Sequence, residues 1–525
     1  MRATKSSRAS RTSKVPRQST ASTDGAAWWE YAVIAVLIAV IGVLAALWHH
    51  TQGYPLYYGD AEAHLDTARR IIDSRTPGYD QIGSPWLPLP HVLMLPFVRS
   101  FDLWKSGMAG TIPGVAAFVL GGVLLFGIGR RTFGSFAAGL SAALLFALNP
   151  NILYLQAAPM TEPVFLAAIA GIVFFTIRGN PVAAALFCCA ATLSRYEGWA
   201  MIPAVALIFW FTRGFRAGFI FGAIASIPPL YWLAHNAWYY GNAIEFYNGY
   251  YSAKMIYQRA VAANMQQYPG DHDWPKAIEY YVAAAKLCAG PVLAWIGTLG
   301  LLAALIRRGW WALALLAIPP VFFVFSMYSS GTPIYVPHLW PFSYYNTRYG
   351  LAALPLLAFG GAALVSLAPE RFRTGAATIL IGIAILPWLA KPRPETWITW
   401  KESEVNSVAR RAWTHQAADY LKANYHRGDG IVFSFGDLTG VLREAGIPLR
   451  ESLHDGNNPH FLAVLARPDL FLWDEWVLAI SGDSLSTALL KLGQGRVQYR
   501  RVKMVEVKGA PPVEIYRRIH SLPRT

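Results

Sequence analysis

About eleven apolar runs separated by short polar loops account for most of this chain, and roughly 20 consecutive apolar residues are what a helix needs to cross a bilayer. The runs fall at residues 31–48, 108–128, 136–155, 164–177, 182–193, 199–211, 217–234, 291–306, 310–327, 349–368 and 376–390. Four intervening loops carry compact arginine pairs: Arg130/Arg131, Arg213/Arg216, Arg307/Arg308 and Arg371/Arg373. With a cytoplasmic N-terminus all four pairs fall on the cytoplasmic side, as the positive-inside bias requires. An odd number of spans then sets the C-terminal part outside. The expected fold is a polytopic α-helical membrane protein with a multi-pass location in the cell (plasma) membrane.

Composition narrows the function classes. Only 14% of the residues are charged and 54% are hydrophobic, whereas soluble domains carry about 25% charged residues. The net charge of +15 does not indicate nucleic acid as a partner, because the basic residues sit in short loops between apolar runs. Three cysteines, two of them the neighbours Cys188 and Cys189, make no disulfide framework. No CxxC or HExxH metal motif is present.

Three regions are expected. Residues 1–27, rich in Ser, Thr, Arg and Lys, read as a disordered basic cytoplasmic tail. The run at 31–48 is longer than a signal-peptide core of roughly 7–15 residues and lacks a cleavage site, so it reads as an anchor. Residues 28–390 form the membrane part. Residues 391–525 read as a small extracytoplasmic α/β domain, with helices near 403–424 and 438–444 and strands near 431–433, 476–478, 498–507 and 513–516. It has no GxGxxG, so no nucleotide is assigned. In the first external loop, residues 60–75 have helical spacing with Ala61, Leu65, Ala68 and Ile72 near one face. Residues 85–104, broken by Pro88, Pro90 and Pro96, read as an interfacial segment.

Charges at membrane depth cost about 2.5–3.5 kcal/mol each, so they mark pairs, cavities or pathways. Arg195 and Glu197 lie in a turn between two short runs, where they either pair to stiffen a hairpin or line a cavity. Glu162 opens a run just before Pro163, and a carboxylate there also complements the helix dipole. Asp60 is a candidate helix cap. Glu62 and His64 follow within a turn, with His64 four residues on and on the same face. Arg348 opens a run within an aromatic stretch that includes Tyr345, a setting that also suits a snorkelling arginine. His235 is a weaker candidate. Arg69, Arg70, Lys254 and Arg259 add positive charge on the outer side. Carboxylates with cations around an apolar cavity suit transfer of a group from a lipid-linked phosphate. Cations hold the leaving phosphate, and a carboxylate takes the proton of the attacking hydroxyl.

The stretches Gly59-Asp60-Ala61-Glu62, Thr161-Glu162-Pro163, Ser194-Arg195-Tyr196-Glu197-Gly198-Trp199 and Asn346-Thr347-Arg348-Tyr349, in that order along the topology, resemble the GT-C glycosyltransferases. The likeness is to the dolichyl-phosphate-mannose–protein mannosyltransferases and the bacterial aminoarabinose transferases. It covers residues 28–390. The resemblance implies a polyprenyl-phosphate sugar donor, an acceptor hydroxyl on a protein, lipid or glycan, and an inverting displacement outside the cytoplasm. It makes Asp60 the base; the reading of the charged residues adds Glu62 and Glu162 as further catalytic carboxylates, and His64, Arg195, Glu197, Arg348, Tyr345 and His235 as substrate contacts. Family members often have two adjacent acids where Ala61 here separates Asp60 from Glu62. No cofactor is expected, although the carboxylates and His64 could hold a divalent metal. A transporter or lipid flippase would show mid-bilayer charges and internal repeats, and neither is evident. A non-catalytic assembly scaffold is the third reading.

Overall fold

The sequence pattern that makes the first helix also shows what surrounds it. Trp28–Thr51 buries Ile34, Ile38, Gly42 and Ala46, a stripe with a spacing of four. Its remaining faces expose Val33, Val36, Val40 and Leu44. A helix apolar all round with only one face packed on protein is lipid-facing on the others. The computed structural model describes residues 27–492 and 498–519, so the tail at 1–27 lies outside the described residues except for its last.

Every apolar run is helical. Among the described residues six helices are long and apolar enough to cross a membrane: Trp28–Thr51, Met108–Phe133, Phe215–Tyr240, Trp310–Tyr328, Thr347–Leu367 and Glu370–Ala390. Trp274–Ala289 and Pro291–Ile306 make a seventh if taken together, bent by 111°. Phe136–Ala147 and Pro181–Thr192 are apolar but shorter. The chain is a multi-pass membrane protein. Small residues let its helices meet closely. A Cβ at Gly300 would strike the Gly360 carbonyl, and one at Gly297 would meet the Leu357 backbone, so Pro291–Ile306 and Leu354–Leu367 pack backbone to backbone. At the centre Glu162–Arg178 is buried along nearly its whole length.

The helix after the first span, Gly59–Ile72, has Tyr58 at its cap position and Asp60 in its first turn, so Asp60 is not the cap. Its face of Leu65 and Ala68 belongs to a core that also holds Met94, Val98 and Trp104, and Trp413, Leu421, Phe433, Leu442 and Trp476 from the C-terminal part. The segment read as interfacial therefore folds as helices Leu89–Val98 and Phe101–Ser106 with an inward face on this shared core.

The C-terminal part begins with Ile398–Asn424, a helix still pinned to the membrane helices. Thr399 N donates to Asn151 Oδ1 at 3.0 Å, and Tyr154 Oη lies 2.8 Å from Ser403 Oγ. The strands are β1 (Ile431–Phe433), β2 (Ser452–Leu453), β3 (Trp476–Ile480), β4 (Tyr499–Val505) and β5 (Val513–Arg518). Their order is β2-β1-β3-β5-β4. β1 runs parallel to β2 and β3, and β5 antiparallel to β3 and β4. Both parallel strands β1 and β3 are almost wholly buried, as a sheet covered on two faces must be.

Candidate active site

Four separate elements bring charge to one place. Asp60 stands in the first turn of Gly59–Ile72, and Glu162 at the start of Glu162–Arg178. Arg195 is extended just before the tight turn Tyr196–Ala200. Arg348 follows Asn346, whose φ of 54° reverses the chain into the turn Thr347–Ala353. Each charge sits at a helix end or turn, where side chains from different helices can meet without breaking a span.

Two guanidiniums organise the cluster. Arg195 Nη1 donates to Glu162 Oε1 at 3.2 Å and to Thr161 Oγ1 at 3.0 Å, and its Nη2 to Glu197 Oε1 at 2.9 Å. Arg348 uses three edges: Nε to Glu162 Oε1 at 3.2 Å, Nη1 to Glu402 Oε1 at 3.1 Å, and Nη2 to Asp60 Oδ2. One oxygen of Glu162 thus bridges both arginines. Tyr349 lies beneath both, with its ring centre 4.7 Å from Arg195 and 5.0 Å from Arg348. Glu402 is itself held by the backbone N–H groups of Asn346 and Thr347 at 3.0 and 2.7 Å. Buried charges persist only when paired and hydrogen-bonded in this way.

The cluster is asymmetric in access. The side chains of Arg348, Glu162 and Glu402 are 5%, 6% and 2% exposed, whereas that of Asp60 is 44% exposed. Asp60 is the most exposed carboxylate of this network, and with Glu162 and Glu197 it lines a cavity of about 1090 Å³. Four carboxylates face two guanidiniums here, so the network repels a further anion. The cavity's other cations lie apart from it. Lys254 Nζ donates to Tyr247 Oη at 2.7 Å, and Arg70 Nε to the Gln81 carbonyl at 2.5 Å, with Arg70 over the Phe435 ring. Arg70 also feels the carboxylate of Asp455 on the C-terminal part. Asp455 lines the cavity with Gly456 and Asn458.

Asp60, His64, Glu162, Arg195, Glu197 and Arg348 are brought together around the cavity. Three sequence-predicted residues are not among its lining residues. Glu62, grouped with Asp60, points instead into the junction with the C-terminal part, where it bonds Arg410 and Arg443. Residues two apart on a helix face different ways. Tyr345 pairs with Tyr335 in an isolated bridge. His235 stacks on Trp232 at 4.6 Å. Sequence reasoning missed Glu402, which lies beyond the last apolar run between Lys401 and Ser403 and reads there as part of a soluble helix. Among the described residues no group of three or more His, Cys, Asp or Glu side chains is arranged to hold a metal ion.

No family model matches this sequence, and no curated protein matches it. Its structure does have counterparts. ArnT from Cupriavidus metallidurans bound to undecaprenyl phosphate matches with a TM-score of 0.56 at 13% identity, over 93% of this chain and 98% of that one. The same protein in the apo state matches with a TM-score of 0.55 at 14% identity, over 91% and 97%. Both matches span more than nine-tenths of either chain, and this chain has the GT-C fold.

Proposed function

We propose that this chain is an inverting membrane glycosyltransferase that moves a sugar from a polyprenyl-phosphate donor to an acceptor hydroxyl. The observation that carries the reading is Asp60: a cavity-facing carboxylate held at one oxygen by a buried arginine. The fold it shares with ArnT, one of whose structures holds undecaprenyl phosphate, supports the donor class.

The geometry supports the following steps. Arg348 binds Asp60 Oδ2, which leaves Oδ1 to accept a proton. The acceptor oxygen attacks the anomeric carbon, its proton passes to Asp60, and the bond from that carbon to the phosphate oxygen breaks with its electron pair leaving on the phosphate. One displacement inverts the anomeric centre. Glu162 and Glu402 fix Arg348 and so aim Asp60. Arg195 and Arg348, expected from sequence as phosphate or sugar contacts, have carboxylates on them. In this reading the leaving phosphate goes to the cavity cations Lys254, whose hydrogen-bond partner is the Tyr247 hydroxyl and not a carboxylate, and Arg70.

This reading puts the site outside the cytoplasm. At the cavity end of the first span His50 bonds Thr111 at 2.8 Å, and at the opposite end Arg130 bonds Glu30 at 3.0 Å. The arginine pair there marks the cytoplasmic face by the positive-inside bias. The test is Asp60→Asn assayed in membranes with a labelled polyprenyl-phosphate sugar. Transfer should fall by at least about 10²-fold, the usual scale for a lost general base. Transfer at the wild-type rate would remove Asp60 from the mechanism.

A further inference from the structure

The cavity wall beside Asp60 carries a hydrogen-bond chain that the transfer step does not use. His64 Nδ1 lies 3.0 Å from His91 Nε2, and His91 Nδ1 lies 3.2 Å from the Leu87 carbonyl oxygen. A carbonyl oxygen only accepts, so the His91 Nδ1 carries a proton. A neutral His91 then offers a lone pair at Nε2, and the proton between the two rings belongs to His64 Nδ1. His64 Nε2 is left without a proton. This nitrogen has no partner among the described residues, yet it is not sealed in: it is absent from the enclosed, unpartnered polar atoms, and His64 lines the cavity.

Neutrality follows from the surroundings. The rings of His64 and His91 are 5% and 0% exposed, and the Trp86 ring centre is 4.3 Å from that of His64. Burial draws His64 down to about 4. Arg348 and Arg195 push the same way, and Asp60 and Glu162 oppose them. The free imidazole normally prefers its proton on Nε2; here the neighbour reverses that choice, because a second-ring partner fixes the tautomer.

We infer that His64 Nε2 is a fixed hydrogen-bond acceptor for a substrate hydroxyl, and that His91 is the positioning residue that fixes it. An acceptor-only atom welcomes hydroxyls and turns away phosphate oxygens, so it sorts the sugar end of a ligand from its phosphate end. It is an uncharged acceptor on the same helix as the Asp60 carboxylate, which the transfer step uses as its base. The ligand class rests on the glycosyltransferase reading; the tautomer does not.

Histidine-labelled full-length protein in a glycoside-free detergent tests both. Nitrogen-15 spectra at neutral pH, assigned with His64→Asn, should show His64 protonated at Nδ1 and bare at Nε2. His91→Phe should return the proton to Nε2. Methyl mannoside or methyl glucoside at molar concentration should move the bare Nε2 signal upfield. An Nε2–H ring, an imidazolium, or a signal unmoved by both glycosides would overturn the inference. In membranes, His64→Leu should lower kcat/KM about 10- to 100-fold, and His64→Gln, which keeps an acceptor, should recover most of it. Equal activity in the two variants would also overturn it. A higher KM for the lipid-linked sugar would place the hydroxyl on the donor, and a higher KM for the acceptor would place it there. A wild-type protein that transfers no sugar would sink the glycosyltransferase reading alone, with the spectra still deciding this one.

Discussion

In the proposed transfer, Arg348 is the side chain on which the aim of Asp60 depends most. Its guanidinium spends Nε, Nη1 and Nη2 on Glu162, Glu402 and Asp60, a fork that a lysine ammonium cannot reproduce. Arg348→Lys keeps the charge and loses the aim of Asp60. We expect kcat to fall by about 10²-fold or more, the scale for a misplaced catalytic group, with protein abundance in the membrane retained. Unchanged kcat would show that Asp60 is aimed by something else. Most of this network is legible in the sequence because charges stand out against apolar runs: Glu162, Arg195, Glu197 and Arg348 each flank one, and Asp60 opens the polar stretch that follows the first. Glu402 does not stand out. It shares its stretch with Lys401 and Glu404, so its isolation from water exists only once Asn346 and Thr347 fold over it.

At the scale of the element, Gly59–Ile72 has two jobs on two faces. One face presents Asp60 and His64 to the cavity. The other plugs into the C-terminal part, where Glu62 holds Arg410 and Arg443, and Arg410 also donates to the carbonyls of Leu56 and Tyr57. Glu62→Gln leaves two buried guanidiniums short of a counter-charge and should cost about 3–5 kcal/mol, read as a lower unfolding temperature of the purified protein. A variant as stable as wild type would show that the arginines find other partners. Asp66, on the same helix, gives a pH signature. Burial lifts its carboxyl from 3.8 to about 7, and one oxygen accepts from Trp104 Nε1 at 2.8 Å while the other has no partner. Folded Asp66 therefore keeps a proton that the unfolded chain releases. Its contribution to stability declines as pH rises from about 4 to about 7 and is level above, by up to about 4 kcal/mol. Asp66→Asn keeps an acceptor for Trp104 and removes the titration. Its stabilising effect should be larger at pH 8 than at pH 5, and an effect equal at both would refute the assignment. The helical spacing of Ala61, Leu65 and Ala68 is plain in the sequence. What covers that face is not, because beyond Met94, Val98 and Trp104 its partners, among them Trp413, Phe433 and Leu442, lie more than 300 residues later in the chain.

For the whole molecule, hydropathy marks where the chain leaves the bilayer, near residue 390, but the packing does not stop there. Leu65, Met94 and Trp104 share one core with Trp413, Phe433 and Leu442. Glu402 completes the Arg348 network from the far side of the same line, and Phe435 and Asp455 form part of the cavity wall. The α/β character of the C-terminal part was readable from its strands, except β2, whose two residues are too few to show a pattern. Its dependence on the membrane part was not, since periodicity reports a buried face and never names the partner. Cutting the chain after residue 390 should therefore do more than remove a tail. The external helix would lose the cover of its Leu65 and Ala68 face, Glu62 would lose both arginines, and Arg348 would lose Glu402. We expect the truncated protein to insert in the membrane, because its spans are unchanged, yet to be inactive and to be cleaved by external protease within residues 49–106, where the full chain resists. Supplying residues 391–525 separately should not restore protection, since Leu65, Ala68, Met94, Val98, Trp104 and Ala109 of the shared core belong to the other piece. Equal resistance of the truncated and full-length chains would show that the first external loop holds itself together, and the C-terminal part would then be an attachment and not a wall of the site.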